Sequence, residues 1–139
     1  MNTAKDVTAR VIRKTSDEAI SVKWEGAVSS GFTAIPNALI KSQVKLGITS
    51  SELNVLLNLL VHWWFKDGLP FPSANTIANR TGMDPRTVQR HLKSLRDKGY
   101  IEKVNNGSRK SYSLNGLKDA LIKLSGADAW SFFKDVKMT

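Results

Sequence analysis

Asp84-Pro85-Arg86-Thr87-Val88-Gln89-Arg90-His91-Leu92-Lys93-Ser94-Leu95-Arg96-Asp97-Lys98-Gly99 joins a helix start signal, an apolar stripe and a basic outer face in one short run. Asp84 is suited to accept from the unpaired amides of a first helical turn, Pro85 fits the first helical position, and Gly99 can take the left-handed conformation that ends a helix. Val88, Leu92 and Leu95 recur at helical spacing and are expected to face a core. That leaves Arg86, Gln89, Arg90 and Lys93 together in solvent. Arg and Gln are the side chains that pair bidentately with guanine and adenine edges in a major groove, whereas a basic face by itself is more often a solvated surface.

The flanking segments add to that reading. Upstream, Ser73-Ala74-Asn75-Thr76-Ile77-Ala78-Asn79-Arg80-Thr81-Gly82 predicts a short helix capped by Ser73 and stopped by Gly82, with Ile77 and Ala78 inward. Downstream, Tyr100–Val104 and Arg109–Leu114 alternate apolar and polar residues around Asn105-Asn106-Gly107-Ser108, a hairpin-turn composition. The expected order is helix, tight turn, helix, hairpin.

With these segments the chain resembles the winged helix-turn-helix family, in particular phage, plasmid and bacterial members carrying stretches like Phe71-Pro72-Ser73, Thr76-Ile77-Ala78 and Thr87-Val88-Gln89-Arg90-His91-Leu92. The resemblance extends through Leu95–Ile101 and upstream to Phe32-Thr33-Ala34-Ile35-Pro36-Asn37, and covers about residues 32–114. It implies a mainly α fold with a small antiparallel β-hairpin wing, an α+β winged helix-turn-helix. Members of such families include transcriptional regulators and the DNA-binding modules of replication initiators, and a fold does not separate those roles. The expected organisation is an N-terminal extension over residues 1–31, forming a hairpin or an arm, the winged domain over 32–114, and a helical C-terminal extension over 115–139 that completes the core or pairs two subunits.

The composition fits a polyanionic partner. The 139 residues carry a net charge of +9, and residues 73–113 hold nine Lys or Arg against three Asp or Glu, which places +6 of that excess in the proposed reading motif and wing. No stretch reaches the apolar length of a membrane span and the N-terminus lacks a signal peptide's apolar block, so a cytoplasmic protein is expected. The absence of cysteine excludes disulfides, thiolate nucleophiles and cysteine-based zinc fingers. There is no G-x-G-x-x-G, no Gly-Lys-Ser/Thr phosphate loop and no H-E-x-x-H, and Asp84, Asp97 and Glu102 have capping or solvation roles, so neither catalysis nor a cofactor is expected. His62 and His91 stand apart and form no metal-ligand pattern. His91, within the reading helix, could gain a proton near DNA or simply pack at the helix edge.

Before the motif, Thr49-Ser50-Ser51-Glu52 forms a capping box leading into Leu53–Phe65, a helix apolar over most of its circumference. Leu53, Leu56, Leu57, Leu60 and Trp64 are expected beneath the reading helix, with Val55, Leu59 and Trp63 on a second stripe. Lys66–Pro72 is too rich in turn formers to be helical, and in the resembling families such a stretch can add a strand to the wing sheet. Val7–Ile12 and Ala19–Trp24 suggest strands of a hairpin, against a disordered arm. Leu117, Ala120, Leu121 and Leu124 make a helical stripe, followed after Gly126 by Trp130, Phe133 and Val136 on a second helix.

Chemistry then assigns the contacts expected with double-stranded DNA. Arg86, Thr87, Gln89 and Arg90, on the first two turns of the helix over 85–98, are candidates for base readout. Ser73, Asn75, Thr76 and Lys93 are candidates for backbone phosphates. In the wing, Asn105, Asn106, Arg109 and Lys110 would follow phosphates or enter the minor groove, with Lys103 adding general attraction. The expected function is sequence-specific binding by a homodimeric transcriptional regulator. The alternative is the DNA-binding module of a plasmid or phage replication initiator, and a winged helix used for protein contacts is the third reading.

Overall fold

Side-chain oxygens start three of the helices, each taking backbone amides that a first turn leaves without partners. The computed structural model describes residues 18–63, 68–107 and 109–126. These fall into two compact units, one ending at Thr33 and one beginning at Ala34. In the first, residues 18–24 form α1, which runs into a 3-10 turn at Glu25–Val28. In the second, the order is α2 (Asn37–Lys41), α3 (Gln43–Leu46), α4 (Ser50–Leu60), α5 (Ala74–Thr81), α6 (Pro85–Asp97), β1 (Glu102–Asn106), β2 (Arg109–Ser113) and α7 (Asn115–Ser125).

Helix α4 opens with a complete capping box: Thr49 Oγ1 accepts from the Glu52 amide at 3.1 Å, and Glu52 Oε1 accepts from the Thr49 amide at 2.9 Å. At α5, Ser73 Oγ accepts from the Thr76 amide at 3.1 Å, and the helix stops at Gly82. At α6, Asp84 Oδ1 accepts from the Arg86 amide at 2.9 Å and Pro85 occupies the first turn.

The apolar stripes of these helices share one core. Val55, Leu56 and Leu59 of α4, Ile77 of α5, and Val88, Leu92 and Leu95 of α6 are buried together with Leu39, Leu46, Ile48 and Ile101. Burying each such side chain contributes about 1.5–3 kcal/mol. Helix α7 belongs to the same core through Leu117 and Leu121 and packs on α2. Its approach to the chain between α6 and β1 is close: the Leu117 amide donates to the Tyr100 carbonyl at 2.9 Å, and a Cβ on Gly116 would lie 1.9 Å from the Gly99 carbonyl oxygen. Only glycine fits there. The Tyr100 hydroxyl donates to the Leu46 carbonyl, which ties the same junction to α3.

Strands β1 and β2 pair antiparallel from Glu102↔Ser113 to Asn106↔Arg109. The turn is therefore shorter than its composition suggests: Asn105 and Asn106 are strand residues, and Gly107, at φ 68°, begins a two-residue connection. The Tyr112 amide donates to the Pro70 carbonyl at 2.9 Å, so the described residues before α5, 68–72, touch β2 through this bond and form no strand.

Three other expectations are corrected. Ala19–Trp24 is helical and not a strand, since six alternating residues fit either period until a partner strand selects one. Helix α4 ends at Leu60 and not Phe65; the His62 and Trp63 amides donate to Leu59 and Leu60, tightening the chain into a turn while Trp63 still packs on the core. The buried face of α4 is Glu52, Val55, Leu56, Leu59 and Leu60, with Leu53 and Leu57 half-buried beside it, so the two expected stripes merge. Val7–Ile12, Trp64 and the Trp130–Val136 helix lie outside the described residues.

Candidate nucleic-acid interface

The 3.6-residue period that buries Val88, Leu92 and Leu95 turns Arg86, Gln89, Arg90 and Lys93 into solvent, with Thr87 half-buried between them. These five side chains, Asp84 and Arg96 line one open surface along α6. Within it, Arg90 Nη2 donates to Thr87 Oγ1 at 3.1 Å, and Lys93 Nζ lies 3.9 Å from Asp97 Oδ2 across one helical turn. Exposed pairs of this kind contribute about 0.3–0.5 kcal/mol, too little to withhold either cation from a ligand.

A second cleft, of about 630 Å³, opens between the start of α5, the side of α6 and the hairpin. Ser73, Asn75, Gln89, Lys103 and Lys110 line it, with Phe71, Arg96 and Tyr112 among the remaining walls. Among the described residues no carboxylate lines this cleft. Gln89 and Arg96 border both surfaces, which makes them the ridge between the outer face of α6 and the hairpin side. The structure thus brings together Ser73, Asn75, Gln89, Lys103 and Lys110 from four elements, α5 with its cap, α6, β1 and β2.

Other sequence-predicted positions stand apart. Thr76 is half-buried, and its hydroxyl lies 3.0 Å from Ser73 Oγ, outside the cleft wall. Asn105 is exposed on β1 opposite Lys110 and does not line the cleft. Asn106 and Arg109 face each other in the last pair before the turn. Arg96 and Tyr112 were not among the predicted contacts. The signal for Arg96 was its position seven residues, two helical turns, beyond Gln89.

Two cations of the basic region have inward or lateral tasks. Lys98 Nζ donates to the Gly47 carbonyl at 2.6 Å and to both Glu52 oxygens at 2.9 Å, while Ser94 Oγ donates to Glu52 Oε2 at 2.6 Å. Burial alone would raise the Glu52 carboxyl, but the hydrogen bonds from Ser94, the Thr49 amide, Lys98 and the Thr49 side chain outweigh it and hold the group at about 2. Arg80 Nη1 lies 3.0 Å from His62 Nε2, and burial with the Arg80 charge lowers the His62 pKa below its usual value. Burial raises the Tyr112 phenol, and the nearby Arg96 charge partly offsets that rise.

Among the described residues no three His, Asp or Glu side chains converge, and no helix is long and apolar enough to cross a membrane. The arrangement offers hydrogen-bond donors and positive charge over a face continuous from α6 to the hairpin.

Two capped helices meeting at a tight turn, followed by a hairpin folded against the second, define a winged helix-turn-helix. Consistent with this, residues 46–101 match the family model for a helix-turn-helix domain. A sequence search among curated proteins finds no match. Among solved structures, the N-terminal domain of DnaD protein from Geobacillus kaustophilus HTA426 is similar at a TM-score of 0.59 and 22% identity, covering 81% of this chain and 96% of that one. AbfR of Staphylococcus epidermidis aligns at a TM-score of 0.41 and 18% identity over 99% of this chain and 96% of its own, and reduced AbfR bound to DNA at 0.41 and 20% over 97% and 94%.

Proposed function

We propose that this protein binds double-stranded DNA sequence-specifically and acts as a transcriptional regulator, with α6 in the major groove. The observation that carries the reading is the exposed set Arg86, Gln89 and Arg90 on one capped helix, adjoining a cleft lined by Lys103 and Lys110 and, among the described residues, by no carboxylate. Arg86, Thr87, Gln89 and Arg90 read base edges; Lys93, Ser73, Asn75 and Thr76 hold phosphates and set the register. The hairpin, through Lys103, Asn105, Asn106, Arg109 and Lys110, follows the adjacent backbone. The protein works in the cytoplasm as a two-fold dimer, which places two reading helices one turn of DNA apart, roughly 34–36 Å. The apolar side chains left partly open on α7, Ile122 and Leu124, support pairing through this helix.

The test is selection from a random duplex library at near-physiological salt, with sequencing of the retained fraction. Enriched inverted repeats are expected. Tandem direct repeats would replace the regulator with the DNA-binding module of a replication initiator, whose sites are read in series. No enrichment together with no salt-sensitive binding would overturn the DNA reading and leave a winged helix that contacts protein.

A further inference from the structure

Four of the cations near the reading face have local partners. Lys93 is near Asp97, Arg90 donates to Thr87, Arg80 meets His62, and Lys98 is bound by Glu52 and Gly47. The Nε–H of Arg96, by contrast, is closed off from solvent and has no hydrogen-bond partner among the described residues. That N–H is out of reach of a ligand in the open cleft, so a contact made there falls to the terminal nitrogens of the guanidinium, which lines both surfaces. The guanidinium lies at the ridge where the outer face of α6 meets the cleft, near Tyr112 of β2.

We propose that the cleft between α5, α6 and the hairpin holds a backbone phosphate of the bound DNA, gripped by Arg96 from the helix side and by Lys103 and Lys110 from the hairpin side. This rests on the DNA-binding reading above and adds a contact to it. Three cations converge on the cleft, and among the described residues no carboxylate lines it to neutralise them. A phosphodiester oxygen supplies the acceptors that a guanidinium fork takes in pairs. The geometry also gives the contact a consequence for recognition. Gln89 lies two turns earlier on α6, about 10 Å along its axis, and lines the same cleft. A phosphate fixed at Arg96 therefore sets how deeply and at what angle α6 enters the groove, and so where Gln89 meets a base edge. Arg96 is a positioning residue in this scheme; it reads no base.

The experiment measures binding by fluorescence anisotropy on a duplex recovered from the selection, across a salt series, for wild type, Arg96→Gln and Arg96→Lys. The expected result is an affinity loss of about tenfold for Arg96→Gln on every sequence tested, with the slope of log K against log salt reduced by about one, while Arg96→Lys keeps the slope. A set of duplexes with single neutral methylphosphonate linkages then locates the phosphate: one linkage weakens wild type and has no further effect on Arg96→Gln. An Arg96→Gln protein with the wild-type slope and the wild-type linkage profile overturns the proposal while leaving the DNA reading intact. A wild-type protein that binds no duplex overturns both. Should Arg96→Gln fail to fold, the linkage set is run on Lys110→Gln, whose exposed side chain tolerates replacement. Loss of the same linkage's effect supports the site, and an unaltered profile overturns it.

Discussion

Replacing Glu52 by glutamine removes one charge and almost no volume from a carboxylate that is 3% exposed and accepts from Thr49, Ser94 and Lys98. The new amide group turns a pair of donors toward Ser94 Oγ or Lys98 Nζ, both of which need an acceptor. A carboxyl held at about 2 against an ordinary 4.5 corresponds to roughly 3 kcal/mol of stability at neutral pH, from 1.36 kcal/mol per tenfold change in proton affinity. Lys98, with its side chain 33% exposed, is partly solvated, so a loss of about 2–3 kcal/mol is expected for Glu52→Gln. Urea unfolding measures it directly, and a domain of this size should melt roughly 6–12 °C lower. The pH dependence tests the cause. Because the folded carboxyl is the stronger acid, its contribution is complete above the unfolded value of about 4.5 and disappears as pH falls toward 2. Wild type and variant should therefore differ most above pH 5 and converge by about pH 2. A difference that stays constant between pH 7 and pH 3 would refute the assignment of this stability to the carboxylate.

Alanine at Arg90 should leave the free protein within about 0.5 kcal/mol of wild type, yet cost about 1–3 kcal/mol of DNA binding at one base-pair position; equal losses on all sequences would make Arg90 a phosphate contact. Alanine at Lys93 should weaken binding on every sequence and lower the salt slope by about one, and an unchanged slope removes Lys93 from the interface. Gly116→Ala poses opposed effects: helix propensity favours alanine by about 1 kcal/mol, whereas a Cβ 1.9 Å from the Gly99 carbonyl forces α7 off its seat at about 1–3 kcal/mol or more. A lower melting temperature is expected, and a rise would show that the backbone approach is looser than described. His62 titrates below its ordinary value of 6.5 when folded, so folding stability should fall as pH drops through 6.5 toward the lower folded value; His62→Asn should flatten urea stability between pH 7.5 and 5.5.

The elements legible in the sequence are those whose causes are local. Asp84, Pro85 and Ser73 announce helix starts because a cap engages amides two or three residues away, and Val88, Leu92 and Leu95 announce a buried face through one helix's own period. The elements that were misread depend on partners far along the chain. Ala19–Trp24 alternates like a strand, but a strand needs a neighbour, and the segment is helical. The apolar run after Leu60 continues past the end of α4 because Trp63 reaches the core from a turn as well as it would from a helix. Glu52 is the clearest case of a residue half read. Its capping role is written in Thr49-Ser50-Ser51-Glu52, and that role already accounts for a glutamate there. Nothing nearby signals that the same carboxylate also accepts from Ser94 and Lys98, 42 and 46 residues away.

That second role bears on the proposed interface. Arg80 and Lys98, both counted in the basic region by composition alone, are engaged by His62 and by Glu52 with Gly47. Removing Lys98 from the outward set means that part of the local charge fastens the C-terminal end of α6 to α4, leaving the N-terminal two turns to present Arg86, Gln89 and Arg90. Arg96 lies between these regions, one residue after buried Leu95 and two before anchored Lys98. Its backbone position is therefore fixed by the core, while its side chain lines the cleft. A helix held rigidly at one end and basic along the other face can transmit a phosphate contact at Arg96 into the placement of Gln89. If the clasp at Glu52 is loosened, that transmission weakens without any change in the residues that touch DNA. Glu52→Gln should then cost sequence discrimination even at temperatures where the domain remains folded, and equal discrimination by both proteins would separate the clasp from recognition.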